Sequence, residues 1–364
     1  MMVQTAAHIL PFTSMHTIAV LLALAILIQG CLSEEGDRVA QEIDRLMSTY
    51  DGAVPGASVL VVRDGKAVVR KSYGLADVAA GAAARPETNY RLASVTKQFT
   101  AASILLLAES GRLRLDDPVR KWLPSLPDAA SAITIRHLLT HTSGLIDYED
   151  VMPSGTAVQL HDRDVLRLLE SQNRTYFAPG TSYRYSNSGY ALLALIVERA
   201  SGKSFAAFLR ERIFLPLGMN HTVAYEEGFS VVPDRAFGYS LAANRWLQTD
   251  QSLTSAVLGD GGIYSSIDDL ARWDAALYTE RLLPRQSLRQ AFSPVVDTDE
   301  ANIKYGFGWR ITGETVWHSG ETVGFRNVIV RYPERRLTVI ILTNRSDPEP
   351  YGTALKIAQL FLGE

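Results

Sequence analysis

One cysteine, Cys31, is present in 364 residues, so no intrachain disulfide can form. The chain has no C-x-x-C and no H-E-x-x-H, which removes any sequence support for structural zinc or zincin chemistry. It has no G-x-x-x-x-G-K, and so no P-loop. No G-x-S-x-G is found either, which argues against the nucleophile elbow of an α/β-hydrolase. Long basic runs are missing and the net charge is −3, so nucleic acid is not an expected partner. The apolar run Ile18–Ile28 has eleven residues, too few to span a bilayer. Repeats and low-complexity tracts are absent. What remains is ordinary globular composition, with 47% hydrophobic and 21% charged residues.

The run Ile18–Ile28 has the length of a signal-peptide core, and Ile28-Gln29-Gly30-Cys31 follows at once. A small residue and then a cysteine after such a core resembles a bacterial lipoprotein processing site. The expectation is a leader over residues 1–31, lipid on Cys31, and one mature domain over residues 32–364 in the cell envelope or periplasm, held to a membrane by that lipid. Residues 1–17 carry no Lys or Arg, Gln29 is an unusual occupant, and Met15 offers a second start. The alternatives are a signal cut elsewhere or a buried structural cysteine.

Beyond the leader, the apolar period predicts a helix over Val39–Met47. Ala57–Arg63 and Ala67–Tyr73 read as strands joined by Asp64-Gly65, a hairpin signal. The helix that starts near Ser94 is apolar nearly all round and belongs in a core, with Gly111 as its stop. The middle third is mostly helical, including Tyr190–Ala200 and Phe205–Phe214. Strand patterns return in Thr315–His318, Phe325–Tyr332 and Leu337–Thr343, before a last helix near Ala354–Leu362. Strands toward both ends, with helices between, imply one sheet assembled from distant segments.

Ser94-Val95-Thr96-Lys97 carries the chemistry. Its hydroxyl and its amine are three residues apart, on one face of a helix. A serine is a poor nucleophile until a base takes its proton, and an amine held in a dry, electropositive site can be that base. Tyr185-Ser186-Asn187 lies 91 residues downstream of Ser94, and His318-Ser319-Gly320 a further 133 residues on. S-x-x-K, Y-x-N and [KH]-[ST]-G each occur once, in that order.

With these residues the chain resembles the penicillin-recognising serine hydrolases, in the class C β-lactamase and DD-peptidase branch, over roughly residues 40–364. Ile133–Leu145 and Gly261-Gly262-Ile263-Tyr264-Ser265 resemble the family's connecting text. The resemblance implies an α/β lobe with an antiparallel sheet beside a largely helical lobe, with the site in the cleft between them. It implies Ser94 as acyl-accepting nucleophile, Lys97 as base and Tyr185 as partner in proton transfer, with no cofactor and no metal. Asn187 would bind the substrate amide. His318, Ser319 and Gly320 would line the cleft, Gly320 so that the substrate backbone can come close and the N–H of Glu321 so that it joins an oxyanion hole. His318 stands where most β-lactamases have lysine. A histidine largely neutral at pH 7 pulls more weakly on a substrate carboxylate. Arg326 is the alternative source of that charge, or simply a solvated strand residue. His137 and His141 are spaced i, i+4 but lack a third metal ligand. The segments Asp147–Thr156 and Glu226–Asp250 are expected to shape substrate choice. Hydrolysis of a β-lactam, a D-amino-acid peptide or a small ester competes with two other readings, a sensor that is acylated without turnover and an envelope scaffold.

Overall fold

The computed structural model describes residues 36–363. Cys31 and the run Ile18–Ile28 lie outside the described residues. A helix over residues 36–47 buries Ile43 and Met47, as its apolar period predicts. From Thr49 the chain forms the compact unit that holds every motif residue.

At the centre of that unit is an antiparallel sheet of eight strands. In chain order they are β1 (Ala57–Arg63), β2 (Lys66–Tyr73), β3 (Val296–Asp297), β4 (Lys304–Tyr305), β5 (Arg310–Thr312), β6 (Thr315–Thr322), β7 (Phe325–Tyr332) and β8 (Leu337–Thr343). Their order across the sheet is β3-β4-β5-β6-β7-β8-β1-β2. The early hairpin therefore pairs with the last strand, Ala57 opposite Thr343 and Arg63 opposite Leu337. Asp64 and Gly65 both take positive φ, +50° and +76°, the two-residue turn that matches strand twist. β1 and β8 are buried along nearly their whole length, and each carries an unbroken run of Val, Ile and Leu at its centre, residues 59–62 and 339–342. β2, at the edge, carries the charged residues Lys66, Arg70 and Lys71.

The helix Lys97–Glu109 is buried from Lys97 through Leu107, as expected of a helix apolar on all sides. Gly111, just past its end, has φ +69° and closes the last turn. Phe99 fills the space between Phe214 and Trp273, with ring centroids 5.7 and 4.5 Å away. That burial is worth about 1.5–3 kcal/mol. The helix Asn187–Ser201 packs on Lys97–Glu109 and on the helices Asp162–Glu170 and Ile135–Leu139. The helix Ile267–Ala276 packs on β1 and β8, and the helix Tyr351–Leu362 on β7 and β8. Among the described residues no helix is long and apolar enough to cross a membrane.

A second, small sheet orders the site. Tyr90–Arg91 pairs with Ile263–Ser265, which also pairs with Val223–Ala224. Leu92 N donates to Ile263 O at 2.8 Å. This lays the turn Gly259-Asp260-Gly261-Gly262 against the segment that carries Ser94. A Cβ on Gly259 would stand 2.3 Å from Tyr190 O, so only glycine lets the turn seat on its neighbouring helix.

Candidate active site

Ser94 lies in a 3-10 turn, Ala93–Thr96, that runs straight into the helix Lys97–Glu109. With three residues per turn, positions i and i+3 eclipse. The spacing read as one face of an α-helix becomes a tighter alignment, and Lys97 Nζ stands 3.1 Å from Ser94 Oγ. Ala93, just before the nucleophile, holds φ +50°, a strained value for a residue with a Cβ.

Lys97 is buried. Its amine also meets Asn187 Oδ1 at 2.9 Å and the Asp260 carbonyl at 3.0 Å. Both of these can only accept. An ammonium here donates three hydrogen bonds. A neutral amine donates two, and its lone pair is left facing one O–H, that of Ser94.

Asn187 opens the helix Asn187–Ser201, whose N-cap Ser186 accepts from Gly189 N. While its Oδ1 meets Lys97, its Nδ2 donates to Glu149 Oε1 at 3.0 Å. The asparagine expected at the substrate amide therefore also holds the lysine.

Tyr185 is held among ring and cation contacts. Its ring lies 4.4 Å from that of His141, with the Lys97 amine 4.8 Å and the Arg310 guanidinium 5.8 Å from its centroid. His141 takes φ +58° and grips the same segment twice. Its carbonyl accepts from Arg184 N at 3.0 Å, and its Nδ1 accepts from Ser186 N at 3.1 Å. Burial and the Lys97 charge hold this imidazole well below its usual pKa, so it stays neutral. His137 instead closes the capping box of the helix Ile135–Leu139 with Thr134. The two histidines have separate structural tasks.

The third motif departs from expectation. His318 is 1% exposed, with its Nδ1 against Ser319 O at 2.6 Å and its Nε2 against Tyr305 Oη at 3.0 Å. A carbonyl only accepts, so Nδ1 carries the proton and Nε2 takes the Tyr305 O–H. Burial and the Arg310 charge push this imidazole well below its usual range too. Both ring nitrogens of His318 are thus engaged within the fold. Gly320 is required within the fold itself. A Cβ there would stand 2.0 Å from Leu92 O, so the glycine admits the nucleophile segment. Ser319, between them, is half-buried. Arg326 is tied to Glu321 at 2.6 Å, and to the carbonyls of Thr322 and Phe325 at 2.8 and 2.9 Å.

Ser94 opens into a cavity of about 660 Å³ whose wall includes Arg91, Glu149, Asn187, Asp260 and Glu321. On β6 the wall is formed by Glu321 and Thr322, beyond His318 and Ser319. The Asp147–Thr156 segment contributes Tyr148, Glu149 and Met152, as expected. Glu226–Asp250 does not reach the wall. It forms a hairpin, Tyr239–Ala242 with Arg245–Gln248, and Ser252–Thr254 takes its place. Asp260 is buried beneath the cavity with Tyr148 donating to its Oδ2 at 3.2 Å. Burial pushes its carboxyl up to about 8 against the opposing pull of Lys97. Arg91, Tyr148, Glu149 and Asp260 escape sequence reasoning as individuals, and His141 stands out only for its spacing from His137. Their signals are that His141 and Asp260 lie in or beside the family-like stretches at 133–145 and 261–265.

The family model described as Beta-lactamase matches residues 39–364. The chain belongs to the beta-lactamase family. It is 36% identical over 330 residues to penicillin-binding protein 4* of Bacillus subtilis, covering 84% of this chain and 72% of that protein. It is 32% identical over 343 residues to the D-aminopeptidase of Brucella ovis, covering 88% of this chain. The match spans 62% of that D-aminopeptidase's own length. The octameric penicillin-binding protein homologue of Pyrococcus abyssi superposes with a TM-score of 0.78 at 28% identity, covering 89% of this chain and 77% of that one. In this beta-lactamase-family member the antiparallel sheet and helical layers therefore follow a shared design.

Proposed function

We propose that this serine hydrolase works through an acyl-enzyme on amide or ester bonds, with Ser94, Lys97 and Tyr185 as its catalytic residues. The observation that carries this reading is the Lys97 amine, buried 3.1 Å from Ser94 Oγ with only acceptors at its other contacts. The Ser94 proton passes to that amine as Oγ bonds to the substrate carbonyl carbon, and the C=O pair moves onto oxygen. The backbone N–H groups of Ser94 and Glu321, both residues of the cavity wall, receive the oxyanion. Collapse expels the leaving amine or alkoxide, which takes a proton by way of Tyr185, and Lys97 resupplies Tyr185. Water then repeats the sequence on the ester and frees Ser94. The D-aminopeptidase and penicillin-binding relatives support amide and peptide substrates. A chromogenic ester tests the reading. The expected trace is a burst equal to the enzyme concentration followed by steady turnover. A burst with no turnover would favour an acylated sensor, and silence would favour a scaffold.

We further propose that the protein is exported and carries lipid on Cys31, supported by the apolar run Ile18–Ile28 and the Gly30-Cys31 that comes after it. Cells fed a palmitate analogue should label the wild type, and Cys31→Ser should be unlabelled and released from membranes. An unlabelled wild type with its N-terminus elsewhere overturns this.

A further inference from the structure

Two buried carboxyls that the acyl-transfer steps do not use meet at the turn 258–262. Asp162, which opens the helix Asp162–Glu170, accepts from Leu258 N and Gly259 N, each at 3.0 Å. It holds the turn by its backbone. Asp260 belongs to the turn and to the wall of the Ser94 cavity, and it is 7% exposed. Tyr148 Oη donates to its Oδ2 at 3.2 Å, and no described cation forms an ion pair with it. A buried carboxylate with one long phenol donor and no ion pair is costly, so this carboxyl favours its neutral form. Burial is the largest cause of its rise to about 8, and the neighbouring Asp162 and Glu149 add to it.

The same residue holds the base. Lys97 Nζ donates to the Asp260 carbonyl at 3.0 Å. A side-chain oxygen of an aspartate lies at most about 5 Å from its own carbonyl oxygen, which puts this carboxyl within about 8 Å of the amine. The other ionisable groups about the pair are committed. Glu149, on the short helix Tyr148–Val151, accepts from Asn187 Nδ2 at 3.0 Å. Arg91, on the small sheet, donates to Ser255 O at 2.6 Å. His141 and His318 are buried and neutral. Tyr185 and Tyr190 present their rings to the amine, with centroids 4.8 and 5.5 Å away. Asp260 is thus the enclosed carboxyl whose ionisation places a new charge beside Lys97.

Resting on the acyl-enzyme reading above, we propose that Asp260 is a positioning residue that acts through Lys97: when ionised, its carboxyl holds the amine as ammonium, and when protonated, it leaves the amine to take the Ser94 proton. The sign follows from charge alone. An anion near Lys97 raises the pH at which the ammonium releases its proton, and removing that anion lowers it.

The test measures the rate of Ser94 labelling by a fluorophosphonate against pH in wild type, Asp260→Asn and Tyr148→Phe, with kcat/KM for a chromogenic ester over the same range. Asparagine keeps an acceptor for Tyr148 and cannot ionise. In Asp260→Asn the midpoint of the acid limb should fall by about one to two pH units, the scale of one charge pair in a part-dry site. Tyr148→Phe removes the donor that favours the carboxylate, so its midpoint should fall in the same direction by less. An acid limb that stays in place or rises in Asp260→Asn overturns the inference. A loss of rate at every pH with the midpoint fixed also overturns it, since Asp260 would then only shape the turn. If Asp260→Asn does not fold, Tyr148→Phe decides, and an unmoved midpoint there overturns the inference. Failure of the acyl-enzyme reading is recognised separately, by labelling and hydrolysis that survive Ser94→Ala.

Discussion

Ser94→Ala should abolish labelling by a fluorophosphonate and lower kcat by roughly 10⁴–10⁶-fold, the range seen when a residue of a covalent catalytic unit is removed. Only the serine oxygen is lost. Ser94 is part-exposed at the cavity, and its hydroxyl contact is with the Lys97 amine, so folding should survive. A thermal midpoint within a few degrees of the parent checks this. Lys97→Met should lose a comparable share of kcat, because Asn187 Oδ1 and Asp260 O cannot take a proton from serine in its place. It should also destabilise the chain, since those two acceptors lose their donor in a buried site, at about 1–3 kcal/mol each. The pair of variants separates roles. Serine loss should leave stability intact, and lysine loss should cost both. Labelling of Ser94→Ala at the wild-type level would falsify the nucleophile assignment.

Asp274→Ala should lower stability by about 3–5 kcal/mol, the cost of leaving one member of a buried ion pair alone. The thermal midpoint should fall by roughly 5–8 °C for a domain of this size. Asp274, on the helix Ile267–Ala276, accepts from Arg331 Nε of β7 at 2.6 Å and from Thr338 Oγ1 of β8 at 2.9 Å. Arg331 and Asp274 are 1% and 2% exposed as side chains. The other two guanidinium nitrogens have no hydrogen-bond partner among the described residues, and the group lies 4.6 Å from the Tyr278 ring and 5.8 Å from Trp309. Without Asp274 this charge has aromatic faces and no anion. The double variant Asp274→Leu with Arg331→Met should melt above Asp274→Ala, because replacing a buried pair by apolar side chains costs less than breaking it. Calorimetry on the three proteins decides it. If Asp274→Ala melts within about 2 °C of the parent, the pair contributes little to this fold.

Much of the scaffold is legible along the chain because its signals are local. β7 and β8 have the boundaries that their apolar runs predict, and the β1–β2 turn is written in Asp64-Gly65. The short strands β3, β4 and β5 and the hairpin at 239–248 are not legible. With two to four residues each, they are set by pairing with neighbours rather than by a pattern of their own. The membership of the candidate site was also legible in part. Ser94, Lys97, Tyr185 and Asn187 lie in three-or-four-residue motifs that occur once, and the fold brings them together.

The duties of the third motif were not legible. His318 looks from its motif like a group that faces substrate, yet it is enclosed by Tyr305 and Ser319. Gly320 is required by Leu92, a residue 228 positions away. Glu149, Asp260 and Arg91 carry no motif of their own and become site residues only because sheet pairing and helix packing bring their segments to Ser94. The order of the motifs, the buried helix and the sheet drawn from both ends of the compact unit follow from the sequence alone, since period and turn chemistry are properties of neighbouring residues. Which charges are free in the cavity follows only from the tertiary structure. Burial and pairing between distant segments decide whether an ionisable side chain is spent, neutral or open to a substrate.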